Sequence, residues 1–188
     1  MTQAISRLPV PEEETLPEDI QALFAKSREK PGFVPNVYQA LSLRPQALRG
    51  FLALYSALME QESGLSKTER EMIAVVVSAE NHCFYCLVSH GAALRVRSKD
   101  AALADTIAAN YRAADLSLRQ RAMLDFAVKV TNDSARCDEA DIAALRTVGF
   151  SDEDIADIAQ IAAFFNYSNR FASALALRPN QEFFTMAR

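Results

Sequence analysis

Two cysteines, a histidine and a glutamate stand close together near the middle of the chain. Cys83 and Cys86 are separated by two residues, His90 follows, and Glu71 precedes them, in the pattern E-x11-C-x2-C-x3-H. Thiolate is the attacking species in thiol chemistry, and a neighbouring base or a helix N-terminus raises its population at neutral pH. These residue types therefore indicate thiol redox chemistry at one site.

A helix that starts near Cys83 would bring the reactive side chains together. Asn81 is a suitable cap for such a helix. Cys83, Cys86 and His90 then fall along one face of its first two turns. The first-turn amides and the helix dipole favour thiolate there, and His90 is the natural base. Glu71 belongs to the preceding apolar helix, where a carboxylate needs a partner, and we expect that partner to be His90.

A metal site is the main alternative interpretation of the same residues. Zinc accepts the ligand types offered by Cys83, Cys86 and His90, with His82 or Glu71 as a fourth. A Cys-x-x-Cys pair without a second pair is a weak metal signal, and two buried core thiols stay open as well. Covalent haem attachment is excluded, because leucine follows the second cysteine where histidine is required.

Other polar and aromatic residues are expected to have ordinary structural roles. His82 is expected to be an exposed loop residue, and Cys137 an incidental thiol. Asn166, Asn169 and Arg170 could line the site, although helix contacts or a subunit interface explain them equally well. The aromatic residues of the same segment are assigned to the core or an interface. They are Phe164, Phe165, Tyr167 and Phe171.

Composition and charge define the broad class of protein. The chain has 188 residues, of which half are apolar and 23% charged, and it contains no tryptophan. The net charge of -4 leaves no basic face, so no nucleic-acid partner is expected. No apolar run reaches the roughly 20 residues that span a bilayer, and the first residues lack a signal core, so we expect a cytoplasmic protein without membrane contact.

Helical signals recur along the chain, and no strand pattern does. We therefore predict an all-α protein with a single compact multi-helix domain over residues 1–188, in which 1–16 form an extended lead-in. Ser66 with Glu69 forms a capping-box pattern at the start of the helix that carries Glu71. The predicted helices are 17–29, 37–43, one from Pro45 closed by Gly64, one from Ser66 to about 80, 83–97, 99–110, 118–132, 138–148 and 152–176.

A degenerate internal repeat is visible at an offset of 51 residues. Residues 65–72 resemble residues 116–123, and the same offset places Cys86 on Cys137. The remaining reactive residues have no reactive counterpart, so one site is expected in each subunit. Glu71, Cys83 and His90 fall on Ala122, Ser134 and Asp141.

The reactive pattern resembles the signature of the alkylhydroperoxidase D and carboxymuconolactone decarboxylase-like superfamily. More narrowly, the chain is similar to the peroxidase-related branch of that superfamily. The similarity includes residues 33–37 and 44–45, and residues 149–152, 165–166 and 169–170, so it covers most of the chain. The redox motif is its most specific part.

This resemblance implies an all-helical antioxidant enzyme with peroxiredoxin-type activity. Cys86 would be the peroxidatic thiolate, Cys83 the proton donor and resolving thiol in a redox-active disulfide, and Glu71 with His90 the proton relay. The resemblance implies a hydroperoxide substrate, a dithiol protein or small thiol as reductant, no cofactor or metal, and a homo-oligomer. Tyr85 stands where the best-studied members carry a histidine between the cysteines.

Two other functions are compatible with parts of the sequence. A helical redox-sensing or disulfide-exchange module would use Cys83 and Cys86 without significant peroxide turnover. Lactone decarboxylation, the chemistry of the other namesake of the superfamily, does not use a cysteine pair. The first alternative therefore stays open, whereas the second fits poorly.

Overall fold

The protein, described here by a computed structural model for residues 4–188, is built from α-helices joined by short loops. The described residues contain no strand, and the all-α prediction is confirmed. A short 3₁₀ turn at Glu13–Thr15 interrupts the predicted lead-in. The helices are α1 Glu18–Glu29, α2 Asn36–Leu41, α3 Pro45–Met59, α4 Lys67–Glu80, α5 Phe84–Ser98, α6 Ala101–Asn110, α7 Leu118–Asp133, α8 Glu139–Thr147, α9 Asp152–Ala174 and α10 Glu182–Thr185.

Helix α4 lies at the centre of the fold. It packs against α5, α6, α7 and α9, and every residue from Glu69 to Ser78 is buried. A helix that is apolar on all sides needs neighbours on all sides, which explains why the Met72–Val77 run occupies the core. Glu71 is thereby fixed on a rigid, buried element.

The internal repeat is visible in the start of two helices. Ser66 accepts a hydrogen bond from the Glu69 amide at the start of α4, and Ser117 accepts one from the Gln120 amide at the start of α7, each within a reciprocal capping box. The two serines are separated by the 51-residue offset of the sequence repeat. α4 and α7 also pack against each other, so the two copies form one core.

The chain after α9 folds back over α5. Buried Arg95 donates hydrogen bonds to the carbonyl oxygens of Phe183 and Met186, at 2.7 and 2.9 Å. The lead-in pairs with the same segment, since the Arg178 amide donates to the Ile5 carbonyl at 2.9 Å. The sequence does not predict α10, because four residues carry no helical period.

We expect Gly64→Ala to destabilise the fold. A Cβ at Gly64 would lie 2.0 Å from Oδ1 of Asp154, whose Oδ2 accepts the Ser151 amide in the capping box of α9. Displacing that carboxylate breaks the cap and lowers the free energy of unfolding by about 1–2 kcal/mol in urea denaturation. Gly50→Ala is the control, because Gly50 lies within α3 beside open space, and the change should stabilise by about 0.5–1 kcal/mol. Equal effects at both glycines would contradict this account.

Within residues 4–188, none of the helices is long and apolar enough to span a membrane.

Candidate active site

The turn between α4 and α5 sets the positions of both cysteines. It differs from the prediction in the residue that caps the start of α5. The prediction that Asn81 caps the second helix is wrong, because its amide still bonds to the Val77 carbonyl and the residue ends α4. His82 reverses the chain with a φ of 50°. Cys83 is the N-cap of α5, with extended backbone, and its carbonyl accepts the Leu87 amide at 2.9 Å.

His90 and Glu71 meet across the α4–α5 interface, as the sequence predicts. Nδ1 of His90 lies 2.8 Å from Oε2 of Glu71, and the two side chains are 15% and 5% exposed. Since an ionised carboxylate can only accept, the pairing assigns the ring proton to Nδ1 and leaves Nε2 free. The His90 ring packs edge-on against Phe165 of α9, with 4.5 Å between ring centroids. The ring is therefore fixed on both sides.

The two buried thiols titrate very differently. The pKa of Cys83 is lowered to about 6, first because its thiolate accepts a hydrogen bond from the Cys86 thiol, and further by the Cys86 backbone amide and the charge of His90. The pKa of Cys86 is raised well above its usual range, because it donates that hydrogen bond and is buried. The pair therefore shares one proton near neutral pH, with the resting charge on Cys83.

Helix α9 completes the surroundings of the cysteines. Oγ of Ser168 lies 3.8 Å from Sγ of Cys86, and the Asn169 side chain also lowers the pKa of that thiol. Ser173, one turn further on, lowers the pKa of Cys83. The sequence singles out Asn169 as a possible site residue and misses both serines. Small polar residues on a long apolar helix carry no motif.

A chain of side-chain amides holds α9 against the α4–α5 turn. Nδ2 of Asn169 donates to Oγ of Ser78 at 3.0 Å, and Nδ2 of Asn81 donates to the amide oxygens of Asn169 and Asn166 at 3.0 and 2.9 Å. Arg170 is exposed and donates back to Asn166 within its own helix. Asn169 thus belongs to the site, whereas Asn166 and Arg170 support it from outside.

A cavity of about 380 Å³ opens beside Cys86. Cys86, Ser89 and His90 form one wall, and aromatic residues of α2 and α3 face them. This volume lies within the range of small-molecule sites and far exceeds the roughly 30 Å³ that one water occupies. Its other lining residues include Leu23, Lys26, Lys30, Val37, Tyr38, Phe51, Tyr55 and Ser168.

A second cavity, of about 310 Å³, lies beside Cys83. Ser173, Ala176 and Arg178, from α9 and the segment after it, line it together with Phe84. Phe84 is 61% exposed at the edge of this cavity. Each cysteine thus lines a different cavity.

Tyr85, between the cysteines, has a structural contact. Its hydroxyl accepts the backbone amide of Val37 at the start of α2, at 3.1 Å. Burial raises the pKa of the phenol, so it stays neutral. Tyr85 therefore cannot transfer a proton as the imidazole of a histidine would. Its hydrogen bond instead holds the start of α2 beside the larger cavity.

The remaining candidates line neither of the two cavities beside the cysteines. His82 is exposed, as predicted, and Cys137 is a free thiol before α8 with a pKa raised by burial. Within the described range of 4–188, no three His, Cys, Asp or Glu side chains converge as a metal site requires. The geometry thus gives no support to the zinc alternative.

We expect one thiolate to form near pH 6 in the reduced protein. Because the folded pKa of Cys83 is about 6, the ultraviolet absorbance of one thiolate should rise through that pH and be missing in Cys83→Ser. The Cys86 thiol should add absorbance only well above its usual titration range. The measurement is a pH titration in a Cys137→Ser background, and a first transition at the free-thiol value of about 8.5 would contradict the assignment.

Comparisons with known proteins cover the whole fold. The family model "Carboxymuconolactone decarboxylase family" matches residues 45–109 and 100–177, two segments that agree with the internal repeat. A protein of Ralstonia eutropha JMP134, described as an alkylhydroperoxidase AhpD core and an uncharacterized peroxidase-related protein, is 52% identical, with 100% of this chain and 98% of that chain covered and a TM-score of 0.97. An uncharacterized peroxidase-related protein of Silicibacter sp. TM1040 is 50% identical, with 100% of both chains covered and a TM-score of 0.95.

More distant similarity extends to the fold alone. The debrominase Bmp8 in its apo form is 18% identical, with 100% of this chain and 97% of that chain covered and a TM-score of 0.78. The search of curated proteins finds no significant match. The family match and the two closely similar structures agree with the motif and the fold. The chain therefore belongs to the carboxymuconolactone decarboxylase family, in the peroxidase-related branch of the alkylhydroperoxidase D-like superfamily.

Proposed function

We propose that this protein is a thiol-dependent peroxidase that reduces hydroperoxides with the Cys83–Cys86 pair. The main support is that Cys86 and His90 share the wall of a cavity large enough for an organic hydroperoxide, while Cys83, whose pKa is lowered by Cys86, lines a second cavity. The peroxidase-related neighbours, at about half identity over the full chain, agree with this chemistry.

The first step oxidises Cys86. A proton passes from Cys86 to the neighbouring Cys83, which leaves the thiolate on Cys86 beside the cavity. This thiolate attacks the terminal peroxide oxygen, so that an S–O bond forms while the O–O bond breaks. The departing alkoxide takes the proton held by Cys83, giving an alcohol, a sulfenic acid on Cys86 and a thiolate on Cys83.

The second step forms a disulfide. The Cys83 thiolate attacks the sulfenic sulfur of Cys86, and the leaving hydroxide becomes water with a proton supplied through His90 and Glu71. An external dithiol then exchanges with this disulfide, becomes oxidised itself and returns both cysteines to the reduced form. Serine hydroxyls of α9 stabilise the changing charge on the sulfurs.

The low pKa of Cys83 is compatible with Cys86 as the attacking residue. A thiolate of low pKa is a weaker nucleophile and a better leaving group than one of high pKa. The low pKa accordingly supports Cys83 as the proton donor to the departing alkoxide and, being a thiolate near neutral pH, as the resolving residue. Cys86, once deprotonated, would be the stronger nucleophile.

Repeated turnover separates this function from a redox sensor. With dithiothreitol in excess, the wild-type protein should consume many equivalents of an organic hydroperoxide per subunit, and Cys83→Ser/Cys86→Ser should consume none. A redox sensor without significant peroxide turnover would show no sustained consumption above that of the double variant, and this result would overturn the proposal.

A further inference from the structure

The ionisable side chains of one sign, the basic ones, predominate around the larger cavity. Lys26 and Lys30 line it together with His90, and no aspartate or glutamate does. The whole chain has a net charge of -4, so a cavity with only basic charges departs from the average surface. An acid-free, cationic lining favours an anionic occupant.

Two carboxylates near this cavity are already paired. Glu60, whose charge raises the pKa of Tyr38, bonds to Lys67 at 2.7 Å and to Arg97 at 3.2 Å. Glu71 is paired with His90 behind the cavity wall. Neither carboxylate is therefore available to neutralise the lysines.

The lysines themselves have no ionic partner in residues 4–188. Basic residues near the C-terminal end of α1 also interact favourably with the helix dipole, so their charge alone does not indicate a ligand site. Arg28 lies between the two lysines in the sequence, but unlike them it forms an ion pair, with Glu13 on another side of the helix. Lys26 and Lys30 lie one turn apart and share the face that meets the cavity.

The interior of the cavity is apolar and aromatic. Leu23, Val37 and Phe51 form much of its lining, and Tyr38 and Tyr55 add rings whose pKa is raised by burial, so they stay neutral. Cys86 is buried, whereas both lysines are exposed, so the charges lie at the mouth. The lining thus runs from a cationic entrance to an apolar interior with the thiol.

We infer that this cavity selects amphipathic carboxylates, and that the substrate is an organic hydroperoxide with an apolar body and an anionic head. Lys26 and Lys30 hold the carboxylate at the mouth, the apolar lining holds the body, and the peroxide group reaches Cys86. The substrate assignment rests on the proposed peroxidase function, whereas the carboxylate site does not.

Binding of octanoate and of its methyl ester to the reduced protein tests the site without turnover. Calorimetry should show octanoate binding about fivefold to tenfold more tightly than the ester, as two exposed ion pairs permit, with less preference at high salt. Lys26→Gln/Lys30→Gln should bind both ligands equally. The control, Lys99→Gln, changes an exposed lysine outside the cavity and should keep the preference.

The outcomes separate the site from the proposed reaction. Equal binding of acid and ester to the wild type, absence of binding, or loss of preference in Lys99→Gln would overturn the inference. With hydroperoxides, kcat/KM for linoleic acid hydroperoxide should exceed that of its methyl ester by a similar factor, and only the double lysine variant should remove the difference. If octanoate binds selectively but no hydroperoxide is consumed, the peroxidase assignment and the substrate class fail while the carboxylate site stands.

Discussion

Replacing Cys86 with serine is expected to lower kcat/KM for an organic hydroperoxide by about 10³-fold or more. The change leaves the cavity and the hydrogen bond toward Ser168 nearly intact, but it removes the sulfur that accepts the peroxide oxygen. Loss of a nucleophile typically removes most of the catalysis that depends on it. Stopped-flow consumption of cumene hydroperoxide with dithiothreitol as reductant measures the effect.

The other two cysteines provide matched comparisons for this experiment. Without dithiothreitol, Cys83→Ser should consume one equivalent of hydroperoxide and then stop, because the sulfenic acid has no resolving thiol. Cys137→Ser should keep wild-type rates, since Cys137 lies before α8, away from both cavities. Wild-type consumption in Cys86→Ser, or loss of activity in Cys137→Ser, would contradict the assignment.

The second large effect is expected at the Glu71–His90 pair. His90→Ala should lower the rate of disulfide formation at pH 7 by about 10²-fold or more, as expected for a lost acid–base group in the second step. The sign of the accompanying pKa change follows from charge. Since the charge of His90 lowers the pKa of Cys83, removal of the side chain should raise that pKa and move the pH profile upward. Glu71→Gln should shift the profile in the same direction, because the ring loses its ionic partner.

Substitutions in the Glu71–His90 pair should also change the free energy of unfolding. His90→Ala leaves Glu71 buried without its partner, at a cost of about 3–5 kcal/mol in the free energy of unfolding. His90→Ala/Glu71→Gln should recover part of that loss, because the buried charge is gone. A double-mutant cycle from urea denaturation measures the coupling. Additive effects would mean that the two side chains act independently, contrary to the 2.8 Å contact.

Local signals in the sequence were sufficient for the positions of most helices. Ser66 and Glu69 form the predicted capping box at the start of α4, and Pro45 opens α3 at its first turn. The apolar run after Glu71 indicates a buried helix, and burial implies a partner for the carboxylate. That reasoning predicts the contact with His90 because both residues lie on neighbouring helices joined by a three-residue turn.

The rest of the site depends on contacts that no local pattern contains. Ser168 lies 82 residues after Cys86, and nothing in the apolar α9 distinguishes it from other small residues. The sequence alone also gives no reason to expect different pKa values for the two thiols. Their pKa values separate because the side chain and backbone amide of Cys86 lower the pKa of Cys83, whereas Cys83 and burial raise the pKa of Cys86. These are properties of tertiary geometry.

The most direct test of the central claim is to identify the sulfur that hydroperoxide oxidises first. Each single variant, Cys83→Ser and Cys86→Ser, is treated with one equivalent of cumene hydroperoxide in the presence of dimedone and analysed by peptide mass spectrometry. The proposed mechanism predicts a dimedone adduct on Cys86 in Cys83→Ser, little adduct in Cys86→Ser, and a Cys83–Cys86 disulfide in the wild type without the trap. Rapid adduct formation on Cys83 in Cys86→Ser, with an unmodified Cys86 in Cys83→Ser, would contradict it.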